Sequence, residues 1–307
     1  MGDIQTTSTL DYHKPGYVSE ALALWADYKE IPLEEPTKEE EAAVDRILGA
    51  VLKALEAPPT GWRRLIYSRW IVHCLLRQNS GNEAKVAKLA GAQLAYHCDM
   101  VERAKAYETT VTEEGKRLFL RGLATYFYGV ERRANVGVLH WRGRLTDTYR
   151  VAQQIGPESY NLCHDYWNLW FLNCRYREAL QNGRHSRIVI VVDSGSYDFG
   201  SMRQSWLSVA TMAKWTKAFP GGQGPVDGVR ITFVRNFPPA LRFITRFIEK
   251  LLPAGTLDRV RFFSPHQDEA FLQALFEFVS PSQVPCSMGG EAFQPFALDG
   301  EYDRPLY

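Results

Sequence analysis

Residues 187–193 read RIVIVVD, and residues 229–235 read VRITFVR. Both runs are rich in β-branched residues and are bounded by turn-forming residues, which predicts buried strands, and a shorter run at 260–263 predicts another. Helical patterns at 201–218 and 239–252 separate the three strands. Because strands that alternate with helices are typical of βαβ units, we expect an α/β domain with a largely parallel sheet.

The chain before this region predicts the remaining parts of the domain. Runs of aromatic and β-branched residues at 125–128 and 136–141 indicate a hairpin. A long helix is expected at 159–181 and a last helix at 267–279. No internal repeat is apparent.

The N-terminal third predicts helices only. Thr37 and Glu40 form a capping-box pattern in front of a helical run that ends at Pro58-Pro59, and further helices are expected at 62–77 and 83–107. The predicted organisation is an extension with one helix at 1–59, a helical lobe at 60–115, an α/β domain at 116–290 and a tail at 291–307.

Composition and charge limit the classes of function. The chain has 307 residues, of which 45% are hydrophobic, and 36 basic residues face 35 acidic ones. This composition excludes a disordered chain, and the net charge of +1 gives no general attraction to nucleic acid. The charge divides unevenly, with −5 in residues 1–115 and +6 in residues 116–307. The cationic part suits an anionic membrane surface or the acidic N-terminal part of the same chain.

The sequence also predicts the cellular compartment. Five scattered cysteines without a Cys-x-x-Cys pair indicate free thiols, and neither a signal peptide nor a membrane-spanning run is evident. We therefore expect a cytoplasmic protein. Gly2 and Thr6 fit the short N-myristoylation signature, although Asp3 is a poor residue beside the acceptor glycine.

No motif argues for catalysis, a metal or a cofactor. The turn after residues 191–193 lacks the Lys and Ser/Thr of a phosphate-binding loop, and no Gly-x-Ser-x-Gly elbow occurs. Adjacent pairs such as His73-Cys74 and His97-Cys98 point in different directions on a helix, which is unsuited to zinc. We expect a protein that is not an enzyme.

Two aromatic helices are more informative. Trp167, Trp170 and Phe171 lie on one helical stripe, and Phe243, Phe247 and Leu251 form another stripe with Ile248 beside it. Such spacing alone is typical of ordinary core. The helix at 239–252, however, is apolar over more than half of its circumference, which leaves surface for a ligand or a membrane.

The order of these segments resembles the CRAL-TRIO lipid-binding domains, a family that includes phosphatidylinositol, tocopherol and retinaldehyde carriers. The matching segments are Ile188 to Asp193, Phe219-Pro220, Asn236-Phe237-Pro238, residues 240–252, Thr256, Arg259-Val260, and Pro285 followed by Met288-Gly289-Gly290. Residues 126–130 are similar to the start of the family domain, and residues 69–77 to its N-terminal helical lobe. No single motif is specific, but their order and spacing together are.

This resemblance implies a sheet that floors an apolar pocket and a gate helix, at 240–252, that closes it over one lipophilic molecule. The implied ligand-binding residues are Trp167, Trp170, Phe171, Ile190, Val192, Ser196, Tyr197, Phe233, Phe243, Phe247, Ile248 and Leu251. Arg242, Arg246 and Lys250 on the exposed edge of the gate helix could meet anionic headgroups, or they could be a solvated helix face. The implied partners are a lipid and, transiently, a membrane surface.

Several positions depart from the family pattern. Glu249 stands where phosphoinositide-binding members carry a lysine, and a carboxylate there would repel a phosphate. Glu131 replaces the usual Asp, Met288 replaces an aromatic residue, and residues 221–226 lengthen a loop. The ligand could therefore be another lipid, a sterol-like or an isoprenoid molecule.

An alternative from a different class remains open. The chain could be a scaffold or regulatory subunit that keeps the fold, exchanges no lipid and binds protein partners through its N-terminal extension and its tail, residues 291–307. An open apolar pocket would favour the carrier, and a filled one the scaffold.

Overall fold

The computed structural model describes residues 16–33, 35–123, 125–131, 136–141, 148–194, 229–237, 259–284, 286 and 289–291. Within these residues the helices are α1 (Tyr17–Ala26), α2 (Lys38–Ala54), α3 (Arg63–Ile66), α4 (Arg69–Gln78), α5 (Glu83–Ala104), α6 (Tyr107–Thr110), α7 (Glu113–Leu123), α8 (Thr148–Ile155), α9 (Pro157–Asn182) and α10 (Asp268–Phe276). The strands are β1 (Thr125–Glu131), β2 (Val136–Trp141), β3 (Arg187–Asp193), β4 (Val229–Arg235) and β5 (Val260–Phe262).

The described strands form one sheet in the order β1-β2-β3-β4-β5. β1 and β2 pair antiparallel, and the pairs β2–β3, β3–β4 and β4–β5 are parallel. The predicted α/β class, with a helical lobe before a mostly parallel sheet, is confirmed. The predicted hairpin and the bounds of β3 and β4 are also confirmed.

Local signals explain where several helices begin. At α2, the Thr37 hydroxyl accepts a hydrogen bond from the Glu40 N–H (3.1 Å), and the Glu40 carboxylate accepts one from the Thr37 N–H (3.0 Å), so the predicted capping box is present. α9 begins at Pro157, which lacks the N–H that would be unsatisfied there, and Gly183 follows it with a φ of 71°.

The N-terminal third differs from the sequence prediction in three places. The described part of the extension contains two helices, α1 and α2, where the sequence pattern predicts one. The single helix expected at 62–77 is divided into α3 and α4, since Ser68 accepts a hydrogen bond from the Ile71 N–H (3.3 Å) and caps a new helix. The helix expected at 83–107 ends at Ala104, and α6 follows it.

Two apolar clusters hold the described residues together. The larger cluster contains residues of the helices from α1 through α9 together with Ile188 of β3. The smaller cluster lies between the sheet and α10. The sheet therefore has an α9 side and an α10 side, named by the helix that packs there.

Candidate functional site

Alternate residues of β3 face opposite sides of the sheet. Val189 and Val191 belong to the cluster on the α10 side, whereas Ile188 and Ile190 pack with the cluster that contains α9. Side chains alternate along a strand, so Val192 faces the α9 side as well. This alternation decides which of the predicted pocket residues can meet.

The parallel register carries the alternation across to β4. Thr232 pairs with Ile190, and Val234 pairs with Val192, so these residues face the α9 side. Phe233 pairs with Val191 and faces the α10 side. The structure therefore does not bring Phe233 together with the predicted pocket residues of β3.

The α10 side is closed by aromatic packing. Phe233 and Phe271 are both fully buried, and their rings make an edge contact with 6.4 Å between centroids. Phe263 and Phe278 complete the group, with centroids 6.2 and 5.8 Å from that of Phe233. Phe233 thus has a role in the core, and its side chain is not available to line a pocket on the other face.

The α9 side is packed less completely near the carboxyl ends of the strands. Val189 and Val191 on the α10 side are at most 2% exposed, but Ile190 and Val192 of the same strand are only partly buried. Their neighbour Thr232 is also partly buried. The central strand β3 thus has one sealed face and one face with accessible apolar surface.

Helix α9 carries two different faces. One face contacts the N-terminal helices: the Arg103 guanidinium donates to the Asp165 carboxylate (2.7 Å), and the rings of Tyr107 and Tyr166 stack with centroids 3.9 Å apart. On the same face, Asn173 accepts a hydrogen bond from the Trp25 indole (3.0 Å). These contacts fix α9 on the helical lobe.

The predicted aromatic stripe turns away from that face. At 100° per residue, Trp167 and Phe171 lie roughly 130° around the helix from Tyr166 and Asn173. Their rings stack with 5.3 Å between centroids, and Trp167 stays partly buried while Phe171 is buried. Trp170 is buried as well, and its position around the helix lies between the face of Tyr166 and Asn173 and the face of Trp167 and Phe171.

The carboxyl ends of β3 and β4 are joined by polar groups. The Asn236 side-chain amide donates to the Asp193 carboxylate (2.9 Å), and the Ser194 N–H donates to the Arg235 carbonyl (3.0 Å). Asn236 has a φ of 59°, which Asn tolerates better than most residues. These bonds hold the carboxyl ends of β3 and β4 together. Asp193 and Asn236 are also two of the residues that carry the family resemblance, and the bond between their side chains gives both a structural role.

The Gly-Gly pair at 289–290 closes the domain against α10. A Cβ on Gly290 would lie 2.0 Å from the carbonyl oxygen of Val284, and one on Gly289 would lie 2.8 Å from a methyl group of Leu272. The Glu291 N–H then donates to the Pro281 carbonyl (2.8 Å). Only glycine fits this close approach.

The other predicted site residues lie outside the described residues. These are Ser196, Tyr197, Phe243, Phe247, Ile248 and Leu251 of the implied pocket and Arg242, Arg246 and Lys250 of the implied membrane contact. The helices expected at 201–218 and 239–252 lie outside them too.

Several titratable groups of α5 and α9 are held neutral by their surroundings. Burial lowers the pKa of His97 to about 3 and that of His164 to about 4, and burial also raises the pKa of the Cys163 thiol to about 12. Among the described residues, no three His, Cys, Asp or Glu side chains converge as metal ligands. No helix in the described part of the chain is long and apolar enough to cross a bilayer.

Comparison with known proteins finds a similarity for part of the chain. Residues 154–290 match the sequence model of the CRAL/TRIO domain, a segment that contains α9, β3, β4, β5 and α10. No curated protein matches the chain. Among solved structures, the crystal structure of Sfh5 superposes with a TM-score of 0.49 and 10% sequence identity, covering 81% of this chain and 86% of that one.

Proposed function

We propose that this chain, whose residues 154–290 match the CRAL/TRIO domain, is a lipid-binding carrier of that type and that it binds one hydrophobic, lipid-like ligand between the sheet and α9. In this proposal the protein carries the ligand or presents it at membranes, and no catalytic step is involved. The single observation that carries the proposal is the difference between the two faces of β3. The α10 side is sealed, and the α9 side keeps accessible apolar surface.

The proposed floor consists of Ile190, Val192 and Val234, with Thr232 as its polar group. Trp167 and Phe171 form the facing wall on α9. A hydrocarbon chain is favoured in such a place because each methylene moved out of water contributes about 0.8 kcal/mol. Ten buried methylenes would therefore contribute roughly 8 kcal/mol before the entropy of binding is subtracted.

The chain topology supports a gate on the same side. α8 and α9 connect β2 to β3, and β4 and β5 follow in the same direction across the sheet. Since such crossovers are almost always right-handed, the connections from β3 to β4 and from β4 to β5 should cross the α9 side too. In the proposal, Phe243, Phe247, Ile248 and Leu251 close the pocket from the second of these connections.

Membrane contact is a separate part of the proposal. Arg242, Arg246 and Lys250 meet anionic headgroups when the gate opens, and the charge of +6 on residues 116–307 adds a weaker attraction over the whole lobe. The protein is then cytoplasmic and bound peripherally and transiently to the membrane.

The first experiment identifies the ligand and tests the gate. Native mass spectrometry of the purified protein, followed by organic extraction, should find one lipophilic molecule per chain. Phe247→Asp should abolish uptake of a pyrene-acyl lipid from phosphatidylcholine vesicles, and the control Phe247→Leu should keep most of it. If no lipid co-purifies and none moves between vesicles, the protein is not a carrier.

A second experiment tests the floor. Val192→Trp places a large side chain on the α9 side and should reduce uptake at least about tenfold while leaving the fold intact. Val192→Ile, which keeps an apolar, β-branched side chain of similar size, should take up the lipid at close to the normal rate. Normal uptake by Val192→Trp would place the ligand elsewhere.

A further inference from the structure

Residues 16–33, called the strap below, lie along helix α9 outside the family core. Tyr17 and Trp25 of the strap are at most 2% exposed. Both bind the same side chain of α9: the Asn173 carbonyl oxygen accepts from the Trp25 indole (3.0 Å), and the Asn173 amide donates to the Tyr17 hydroxyl (2.8 Å). One buried amide therefore ties down both ends of α1.

The strap continues along α9 in the same direction. The rings of Tyr28 and Tyr176 lie 5.5 Å apart, and the Tyr176 hydroxyl accepts a hydrogen bond from the Lys29 N–H (3.0 Å). Farther on, the Pro32 carbonyl accepts one from the His185 N–H (3.1 Å), two residues before β3. The strap thus follows α9 along its C-terminal half and up to the start of the central strand.

The amino end of the strap is held by a residue distant in sequence. Gly16, the N-cap of α1, provides no side chain, and the Glu108 carboxylate accepts hydrogen bonds from the Gly16 N–H (3.1 Å) and the Val18 N–H (3.5 Å). A helix of ten residues is not stable alone in water. α1 therefore depends on these contacts and on the burial of Tyr17, Val18, Ala21 and Trp25.

From this arrangement we propose that the strap is a clamp on α9 that controls how fast a ligand enters and leaves the pocket between α9 and the sheet. This inference rests on the proposed function. The strap and Trp167 with Phe171 occupy different faces of the same helix. A docked strap holds the C-terminal half of α9, at Asn173 and Tyr176, and the turn into β3 at His185. When the strap detaches, the contacts of Asp165 and Tyr166 still fix the N-terminal half of α9, and the C-terminal half moves more easily relative to the sheet.

The test changes two strap contacts in the full chain. Trp25→Phe removes the indole donor but keeps an aromatic ring, and Glu108→Gln weakens the cap of α1. The matched control makes the same two changes elsewhere on the helical lobe, as Trp62→Phe with Glu102→Gln, where both side chains contact exposed Lys105. The single variant Glu108→Gln replaces the double variant if the latter does not fold.

Two measurements are made on each protein. Hydrogen exchange of residues 17–26 should become about tenfold faster in the strap variant, because a buried hydrogen bond is lost. Transfer of a pyrene-acyl phosphatidylcholine between phosphatidylcholine vesicles should become several-fold faster in the same variant. The control should match the wild-type protein in both measurements.

The outcomes separate the clamp from the proposed function. If the wild-type protein takes up no probe and no lipophilic molecule co-purifies with it, the proposed function fails, and the clamp fails with it. If another lipid co-purifies, a fluorescent analogue of that lipid replaces the probe in all variants. If the wild-type protein transfers the probe and the strap variant exchanges hydrogen faster but transfers it at the normal rate, the clamp alone is refuted. Unchanged hydrogen exchange in residues 17–26 would also refute it, because the named bonds would then not hold the strap.

Discussion

The buried His73, His97 and His185 and the partly buried His164 should make the protein unstable in mild acid. Burial is the main cause in each case: it lowers the pKa of His73 to about 4, of His97 to about 3 and of His164 to about 4, and it lowers that of His185 well below its ordinary value. The unfolded chain binds protons on these side chains below about pH 6.5, and the folded protein does not. Stability is therefore complete above this pH and is lost as the pH falls toward the folded-state values.

The size of the effect follows from the shifts. Each histidine lowers the free energy of unfolding by about 1.4 kcal/mol for each pH unit by which the pH falls between 6.5 and its folded-state pKa. At pH 5.0 this amounts to about 2 kcal/mol for one residue and about 6 kcal/mol for His73, His97 and His164 together. The raised pKa values of Glu30 and Asp165, caused by burial, act in the opposite direction and offset part of this loss. Since domains are stable by about 5–15 kcal/mol, the protein should be close to unfolding near pH 5.

Urea denaturation followed by tryptophan fluorescence at several pH values measures this dependence. His97→Gln removes one titrating group, so the loss of unfolding free energy between pH 7.5 and 5.0 should be about 2 kcal/mol smaller than in the wild-type protein. His266→Gln, which changes an exposed side chain, serves as the control. An identical pH dependence in His97→Gln and the wild-type protein would show that the folded-state pKa of His97 is not depressed.

Three further predictions concern stability. Gly290→Ala should lower the free energy of unfolding by at least about 3 kcal/mol, because its Cβ would collide with a backbone carbonyl oxygen. Gly91→Ala, which has open space on α5, should raise the free energy of unfolding by about 1 kcal/mol. Similar urea midpoints for the two variants would contradict this. Asn236→Ala should lower the free energy of unfolding by about 2 kcal/mol and Asn236→Gly by about half of that, because alanine is strained at a φ of 59° and glycine is not. Equal losses in urea denaturation would show that backbone strain does not contribute. Arg103→Met should lower the free energy of unfolding by about 2 kcal/mol, because it leaves the buried Asp165 carboxylate unpaired; the loss stays below that for a fully buried pair because the Arg103 side chain is 40% exposed. Lys105→Met in an exposed pair should lose less than about 1 kcal/mol, and equal losses for the two variants in thermal unfolding would contradict this.

Local patterns predicted the parts of the fold whose stabilising contacts lie nearby in sequence. The capping box at Thr37 and Glu40 closes within four residues, and the bounds of β3 and β4 follow from their β-branched residues. Helix α1 was missed because its cap comes from Glu108, at the far end of the helical lobe. A short helix stabilised by distant side chains leaves little trace in its own sequence.

The candidate site was predicted only in part for a similar reason. Trp167 and Phe171 share a stripe in the sequence, and the structure stacks them. Phe233 has the same apolar, strand-forming character as Ile190, but the register of β4 against β3 places it on the α10 side. Strand alternation shows that two faces exist, and only the helices packed against them decide which face is sealed.

The sequence by itself determined the class of fold, the central strands and the order of segments typical of the CRAL/TRIO family, because periodicity, turn residues and spacing are local properties of the chain. The tertiary structure alone decided which face of the sheet stays accessible and how residues 16–33 bind α9. These features depend on register and on contacts between residues far apart in sequence, such as the bonds from Asn173 to Trp25 and Tyr17. Such contacts exist only once the helices and strands have packed together.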